Sequence, residues 1–210
     1  MSVPLALLEN WQRGWSLARG LPAPVHADGG LVVEVGQPGQ LRRHLFCSAG
    51  PALAAVAARI DAPHIFLKVC AAPEAVRAVL PAPWAFDQPR FFMQCVGPMA
   101  PGPALPAGYQ FSQTRLGPLT TLQVRAPDGS VAASGHLVRF GTVAVFDRIE
   151  TAEAHRRRGL ASALMRALDQ GAAGAAQRLL VATAAGQALY ATLGWDTLSP
   201  YTTAFLPEPG

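Results

Sequence analysis

Residues 156–161, with the sequence Arg-Arg-Arg-Gly-Leu-Ala, join a strand-like run to an amphipathic helix and decide the fold of this half of the chain. The preceding run, residues 142–149, is rich in Val, Phe and Ile side chains, which favour strands. The following segment has apolar residues at helical spacing, namely Leu160, Leu164, Ala167 and Leu168. The sequence therefore predicts a strand that leads directly into a helix.

This junction is suited to binding phosphate. The first backbone N–H groups of a helix have no partner within the helix, and together they carry roughly half a positive charge. Gly159 and Ala161 keep the turn small, so that its backbone can approach an anion, and residues 156–158 add positive charge. The pattern predicts a loop that holds a phosphate or diphosphate group at the helix N-terminus.

The same region resembles a known family. The spacing Arg-x-x-Gly-x-Ala at 156–161 is that of the [Gln/Arg]-x-x-Gly-x-[Gly/Ala] loop of the GNAT superfamily of N-acetyltransferases. Further on, a strand-like run at 179–183 precedes residues 189–195, whose sequence Leu-Tyr-Ala-Thr-Leu-Gly-Trp matches the family's Leu-Tyr-x-x-x-Gly-aromatic signature. The resemblance covers residues 109–206.

The resemblance implies a fold, a cosubstrate and a reaction. The implied fold is α/β (α+β), with a mixed, mostly antiparallel central sheet flanked by helices, and the cosubstrate is acetyl-CoA. The implied reaction is direct transfer of the acetyl group to a primary amine in a ternary complex. Thr183 and Gly186 stand where the family often has Asn and Ala. The alternative is therefore a non-catalytic acyl-CoA-binding or regulatory protein of the same fold.

The resemblance places acetyl-CoA against two segments. In the family the acetyl-pantetheine arm pairs with the backbone of the strand before the phosphate loop, and here the matching residues are Ile149, Glu150 and Thr151. The pyrophosphate takes N–H groups from the loop and the first helical turn, which here are Arg158, Gly159, Leu160, Ala161 and Ser162. The side chains of Arg156 and Arg157 are expected near the phosphates. The alternative is that both are solvated surface cations.

The resemblance also implies a proton donor. Tyr190 follows Leu189 at the position whose phenol, in similar proteins, protonates the leaving sulfur. The alternative interpretation of Tyr190 is an aromatic residue of the core or of its rim.

Asp147 is the preferred general base. It matches by spacing a strand carboxylate used in some relatives, nine residues before Arg156. Strand alternation places it on the face of Val143, Val145 and Ile149, and a carboxylate on an apolar face tends to have a raised pKa. Such a pKa suits a base that works near neutral pH.

Other interpretations of these ionisable groups stay open. Asp147 has an alternative role in an ion pair with Arg148 or another arginine. Glu150 and Glu153 are weaker candidates for the base, and His136 is predicted to be structural.

The N-terminal half alternates predicted strands and helices, and a Pro/Gly/Ala-rich stretch follows it. We expect a degenerate GNAT-like half at residues 1–97, a linker at 98–107 and the GNAT acetyltransferase domain at 108–210. Residues 67–80 align with 180–193, with six of fourteen positions identical, which suggests a duplicated unit. Coincidence in an alanine-rich chain is the alternative.

Composition narrows the function classes. Of the 210 residues 50% are hydrophobic and 14% charged, with a formal net charge of +4. The longest apolar stretches are far shorter than a membrane span, and no signal peptide is predicted, so we expect a cytoplasmic protein without membrane contact. Basic runs occur only at 42–43 and 156–158, which argues against nucleic-acid binding.

The sequence also bears on metals and on partners. No cluster of His, Cys and Asp has ligand spacing, so no metal is implied. The expected acceptor is a small-molecule amine or a peptide N-terminus, and the protein is expected to be a monomer or a homodimer.

Overall fold

A computed structural model of the protein describes residues 2–208. The helices are Leu5–Leu17 (α1), Pro51–Ala57 (α2), Pro73–Arg77 (α3), Leu160–Gly171 (α4) and Ala184–Ala191 (α5). The strands are Val25–Ala27 (β1), Gly30–Gln37 (β2), Gln40–Phe46 (β3), Ile65–Val69 (β4), Ala85–Phe86 (β5), Arg90–Cys95 (β6), Gln110–Leu116 (β7), Leu119–Arg125 (β8), Val131–Phe140 (β9), Val143–Thr151 (β10), Gln177–Thr183 (β11) and Asp196–Phe205 (β12).

These elements divide into two units. The first contains the described residues up to Met93, Val181–Ala185 and the described residues from Thr197 onward. The second contains Gln94–Leu180 and Gly186–Asp196. Among the described helices, none is both long and apolar enough to cross a membrane.

The sheet of the first unit has the strand order β1-β2-β3-β4-β12, and β5 also pairs with β12. Strands β3 and β4 are parallel over five residue pairs, from Arg42 with Ile65 to Phe46 with Val69. Helix α2 lies between them in sequence, so β3, α2 and β4 form a βαβ unit. An apolar core cluster of the first unit of the chain includes Phe46, Leu53, Val56, Leu67, Val69, Val76 and Trp84.

The sheet of the second unit has the strand order β11-β10-β9-β8-β7. The pair β10 and β11 is parallel, and the β7–β8, β8–β9 and β9–β10 pairs are antiparallel. Helix α4 connects β10 to β11 and packs on β8, β9 and β10. Its apolar face is buried through Leu160, Ala163, Leu164, Met165 and Leu168, as the helical spacing predicts.

The structure adds strands that the sequence pattern does not reveal. Strand β3 contains Arg42, Arg43 and His44, which hide its strand character. Arg43 is nevertheless buried, because its guanidinium stacks over the Trp15 ring at 3.5 Å and donates to Gln12 Oε1 at 3.2 Å. Strand β12 contains Pro200, which lowers its strand propensity.

Candidate functional site

Strands β10 and β11 separate part-way along their length. Their parallel pairing joins Val143–Val145 to Gln177–Leu179 and ends there, although β10 continues to Thr151. On its opposite edge β10 stays paired with β9 as far as Thr151. The β11-facing edge of the last part of β10 is therefore outside the strand pairing of the described residues. Such an edge can accept an extended ligand through its backbone groups.

A β-bulge interrupts β10 at the same place. The register with β9 shifts between Asp147 and Glu150, and Arg148 has a φ of +50°. A positive φ costs a non-glycine residue roughly 1–2 kcal/mol, so the surrounding pairing must hold this conformation. Bulges of this kind re-aim side chains and often lie beside functional sites.

The bulge changes which side chains share a face. A Cβ added to Gly135 of β9 would lie 2.6 Å from Ile149 Cδ1 and 3.0 Å from Leu168 Cδ1, so Ile149 points toward α4. Asp147 is paired with His136, the neighbour of Gly135, and therefore faces the opposite side of the sheet. The prediction that Asp147 and Ile149 share a face is wrong, because the bulge inserts one extra residue between them.

Asp147 belongs to a polar row that crosses three strands. It lies directly opposite His136 on β9, which in turn lies opposite Thr121 on β8. All three residues are half-buried. Directly opposed residues of antiparallel strands have Cβ atoms about 4.5–5.5 Å apart, so these side chains are near neighbours. The row ends at the bulge, where β10 leaves β11.

The loop between β10 and α4 has the geometry of an anion cradle. After a 3₁₀ turn at Glu153–His155, Arg157 and Gly159 have φ values of +62° and +75°. The N-cap of α4 is Gly159, which has no side chain that could cap the first N–H groups of the helix. The first turn contains no acidic residue, so nothing in it neutralises the positive end of the helix.

The three arginines of the loop are disposed differently. Arg156 and Arg157 are exposed. The Arg158 guanidinium instead donates from Nη1 to the Tyr109 hydroxyl at 3.0 Å and from Nη2 to the Ala154 carbonyl at 3.3 Å. The side chain of Arg158 thus supports the loop, while its backbone N–H remains part of the predicted cradle.

Helix α5 ends in a Schellman motif that explains the Leu-Tyr-x-x-x-Gly-aromatic pattern. Gly194 has a φ of +90°, its N–H donates to Ala191 O at 3.2 Å, and the N–H of Trp195 donates to Tyr190 O at 3.1 Å. The motif usually places an apolar contact between these last two positions, and here the rings of Tyr190 and Trp195 lie 6.3 Å apart. The pattern therefore fixes the position of the Tyr190 ring.

Trp195 connects Tyr190 to β10. Its ring packs edge-on against Phe146 at 5.3 Å, and Phe146 directly precedes Asp147. Tyr190 is only 6% exposed, and burial raises the pKa of its phenol to about 12. The phenol therefore stays protonated at neutral pH and is available as a hydrogen-bond donor.

Residues 95–195 match the sequence model of the acetyltransferase (GNAT) family. This stretch is a GNAT domain. The members of this family are acetyltransferases, and they generally use acetyl-CoA as the acetyl donor. The match contains the bulged strand β10, the loop between β10 and α4, and the Schellman motif described above. No curated protein sequence matches the chain.

Several solved structures are similar in fold to this protein over more of its length than residues 95–195. A GCN5-related N-acetyltransferase from Kribbella flavida has a TM-score of 0.65 at 13% identity, and the alignment covers 99% of this chain and 98% of that protein. A GCN5-related N-acetyltransferase-like protein from Streptococcus suis has a TM-score of 0.58 at 12% identity and coverages of 84% and 83%. A tandem GNAT protein from the clavulanic acid biosynthesis pathway has a TM-score of 0.55 at 13% identity and coverages of 74% and 68%. The predicted fold class is confirmed.

The structure brings most of the predicted site residues of the GNAT domain into two groups. Around the bulge of β10 lie Asp147, Ile149, Glu150 and Thr151, and around the start of α4 lie Arg156, Arg157, Arg158, Gly159, Leu160, Ala161 and Ser162. Tyr190 contacts Trp195, which packs on Phe146, and Phe146 lies on the face of β10 opposite to Asp147. Sequence reasoning missed Tyr109 and His155, which support the loop, because their contact joins positions 46 residues apart.

Proposed function

We propose that the protein is an acetyl-CoA-dependent N-acetyltransferase that moves an acetyl group directly to a primary amine in a ternary complex. The observation that carries this proposal is the separation of β10 from β11 beside the uncapped N-terminus of α4. An extended acyl-pantetheine chain needs a free strand edge, and its diphosphate needs unpaired N–H groups at one end of that edge. Both features lie on consecutive segments of the chain.

The loop fits the diphosphate for a specific reason. Apart from Gly159 itself and its two chain neighbours, the described residues place no heavy atom within 4 Å of the position that a Cβ of Gly159 would occupy, so the backbone is open to a ligand. The N–H groups of Leu160, Ala161 and Ser162 lie in the first helical turn, where no helical carbonyl can reach them. Ile149, Glu150 and Thr151 supply the strand edge for the pantetheine arm. Acetyl-CoA supplies an activated acyl group when it is bound there.

We expect Gly159→Ala to weaken acetyl-CoA binding on the order of 10-fold. The alanine would meet strain at a φ of +75°, and its methyl group would enter the open space assigned to the diphosphate. Isothermal titration calorimetry with CoA measures the effect. Gly117→Ala is a matched control, because Gly117 has a φ of +55° and equally open surroundings in the β7–β8 turn. Equal losses in both variants would contradict the role of Gly159.

Tyr190 is proposed to assist the departure of the thiolate. The pKa of its phenol, about 12, is higher than that of a typical thiol, about 8.5, so complete proton transfer to the sulfur is uphill by roughly 5 kcal/mol. A hydrogen bond from the phenol to the sulfur, formed as negative charge develops, stabilises the transition state without that cost. We therefore assign Tyr190 the role of hydrogen-bond donor to the leaving group.

We expect Tyr190→Phe to slow turnover by roughly 10- to 100-fold and to leave CoA binding nearly unchanged. Phenylalanine keeps the ring contact with Trp195 and removes only the hydroxyl. Steady-state rates with a verified amine and calorimetry with CoA measure the two effects. Tyr201→Phe on β12 is the matched control, since Tyr201 is 3% exposed and burial also raises its pKa. An unchanged rate in Tyr190→Phe would remove this residue from the mechanism.

The proposal is tested directly by two measurements on the wild-type protein. Calorimetry with acetyl-CoA and CoA should detect binding, and a thiol-release assay with a panel of amines should detect turnover. A small amine, an amino acid and a peptide N-terminus are the acceptor classes that the panel must contain. The rival is a non-catalytic acyl-CoA-binding protein, favoured by Thr183 and Gly186, which depart from the family pattern. That protein would bind CoA and release no thiol with any acceptor.

We further propose that the N-terminal half is a degenerate GNAT-like unit without a second coenzyme site. Its order β3-α2-β4-α3 repeats the order β10-α4-β11-α5, with both strand pairs parallel. The five pairs between β3 and β4 extend to the last residue of each strand, whereas β10 continues well beyond its pairing with β11. A closed pair leaves no strand edge for a pantetheine arm. A CoA stoichiometry of two per chain would contradict this proposal.

A further inference from the structure

The hydroxyl of Tyr109 joins two residues that flank the strained part of the phosphate loop. It lies 3.0 Å from Nη1 of Arg158 and 3.0 Å from Nδ1 of His155. Arg157, between them, has a φ of +62°. Tyr109 comes from the segment that precedes β7, so a distant part of the chain is connected to both ends of this kink.

The direction of the hydrogen bonds follows from the chemistry of the three groups. A guanidinium only donates, so the Tyr109 oxygen accepts from Arg158. The phenolic proton is then available to His155, and in the tautomer whose Nδ1 carries no proton this nitrogen accepts it. In that tautomer the three groups form a directed chain from Arg158 through Tyr109 to His155. The rings of Tyr109 and His155 also meet edge-on at 5.8 Å, which holds the phenol in place.

This chain has an energetic consequence for the loop. The left-handed conformation of Arg157 is unfavourable for a residue with a side chain, and a free loop would relax from it. A hydrogen bond to a charged group is among the stronger polar contacts in proteins, and Tyr109 makes one such bond on one side of the kink. The loop is therefore held in its cradle conformation before any ligand arrives, so less ordering is needed on binding.

We propose that Tyr109 is a positioning residue for the diphosphate site: it holds Arg158 and His155 so that the loop is preorganised for the nucleotide part of CoA. This inference rests on the proposed function. It predicts that Tyr109 matters for donors that contain the diphosphate and not for donors that lack it. Tyr109 acts through the loop and takes no part in acyl transfer itself.

The test compares two acetyl donors in Tyr109→Phe. We expect CoA to bind roughly 5- to 20-fold more weakly by calorimetry, and KM for acetyl-CoA to rise by a similar factor with kcat within about twofold. The kcat/KM for S-acetylpantetheine, which has no diphosphate, should stay within about twofold of wild type. A purely structural role would lower the activity with both donors.

Arg158→Gln and the double variant complete the test. Arg158→Gln should weaken CoA binding, and adding Tyr109→Phe to it should cause little further loss, because both changes break the same chain. Arg115→Gln is the matched control: Arg115 is also exposed and also donates to a backbone carbonyl, that of Gly117, and CoA affinity should be unchanged. The control also shows how much a lost surface charge contributes.

The outcomes separate this inference from the proposed function. If the wild type binds CoA and Tyr109→Phe binds it equally well, the positioning role is wrong and the proposed function stands. Equal losses with acetyl-CoA and S-acetylpantetheine would also overturn the positioning role. If the wild type shows no heat with CoA, the proposed function fails, and the inference fails with it.

Discussion

Replacing Arg178 with leucine is expected to lower the free energy of unfolding by about 3–5 kcal/mol. Arg178 Nε donates to Asp169 Oδ1 at 2.6 Å, and the two side chains are only 6% and 11% exposed. The guanidinium also donates to the carbonyls of Ala175 and Ala172 at 3.1 and 3.3 Å. Leucine would leave a buried carboxylate and two carbonyls after α4 without these donors.

The Arg178–Asp169 ion pair connects several segments of the second unit, so its loss should destabilise all of them. Asp169 lies near the end of α4, Arg178 lies at the start of β11, and Asp169 Oδ2 accepts from the backbone N–H of Met99 at 3.1 Å. The Asp169 carboxylate thus joins α4 to β11 and to the stretch predicted as a linker. Breaking it should loosen all three segments.

Urea unfolding followed by circular dichroism measures the change, and Arg42→Leu is its matched control. Arg42 Nε lies 2.6 Å from Glu34 Oε1, which is the same separation, but these side chains are 44% and 59% exposed. An exposed pair contributes at most about 1 kcal/mol, because solvent screens it and both side chains lose entropy. Similar losses in the two variants would show that burial is not what makes the Arg178 pair strong.

The strand, loop and helix around residues 156–161 are predictable because every signal there is local. Alternation of side chains, a small turn and helical spacing lie within one continuous segment, and the structure confirms the strand and the helix on each side of it. Strand β3 is different. Its Arg43 is buried by Trp15 and Gln12, which come from α1, and no local pattern indicates that contact.

The candidate site shows the same limit at the level of single residues. The turn after Tyr190 is predictable, because the Schellman motif requires a residue such as Gly194 at a fixed distance. The bulge at Arg148 is not indicated by the sequence, because Arg148 has a positive φ although it is not a glycine. Strand alternation therefore assigns Ile149 to the wrong face. Nor does the sequence indicate that Tyr109 contacts Arg158, because the two belong to different segments.

Deprotonation of the acceptor amine, which is the task of the general base, is the most costly proton transfer in the proposed reaction. An alkyl amine with a pKa of about 10.4 is neutral in only about one molecule in 2,500 at pH 7, which costs roughly 4.6 kcal/mol. For comparison, keeping a thiol with a pKa of about 8.5 in its thiolate form at pH 7 costs only about 2 kcal/mol. Removing the base should therefore lower the rate more than removing the hydrogen bond of Tyr190.

We expect Asp147→Asn to lower kcat/KM by roughly 10²- to 10⁴-fold and to flatten the acidic limb of its pH profile. A general base must be ionised to take the proton, so the acidic limb of such a profile reports the base of the reaction. Asparagine has no such titration, and its amide is similar in size to the carboxyl. The profile is measured as kcat/KM against pH with a verified amine.

Glu150→Gln is the matched control, because Glu150 lies just across the bulge on the same strand and is exposed. It should keep the acidic limb. An Asp147→Asn profile that is only scaled down, with its limb intact, would show that another group titrates there. His136 stands directly opposite Asp147 in the polar row, so loss of the limb in His136→Gln instead would transfer the base to the neighbouring strand.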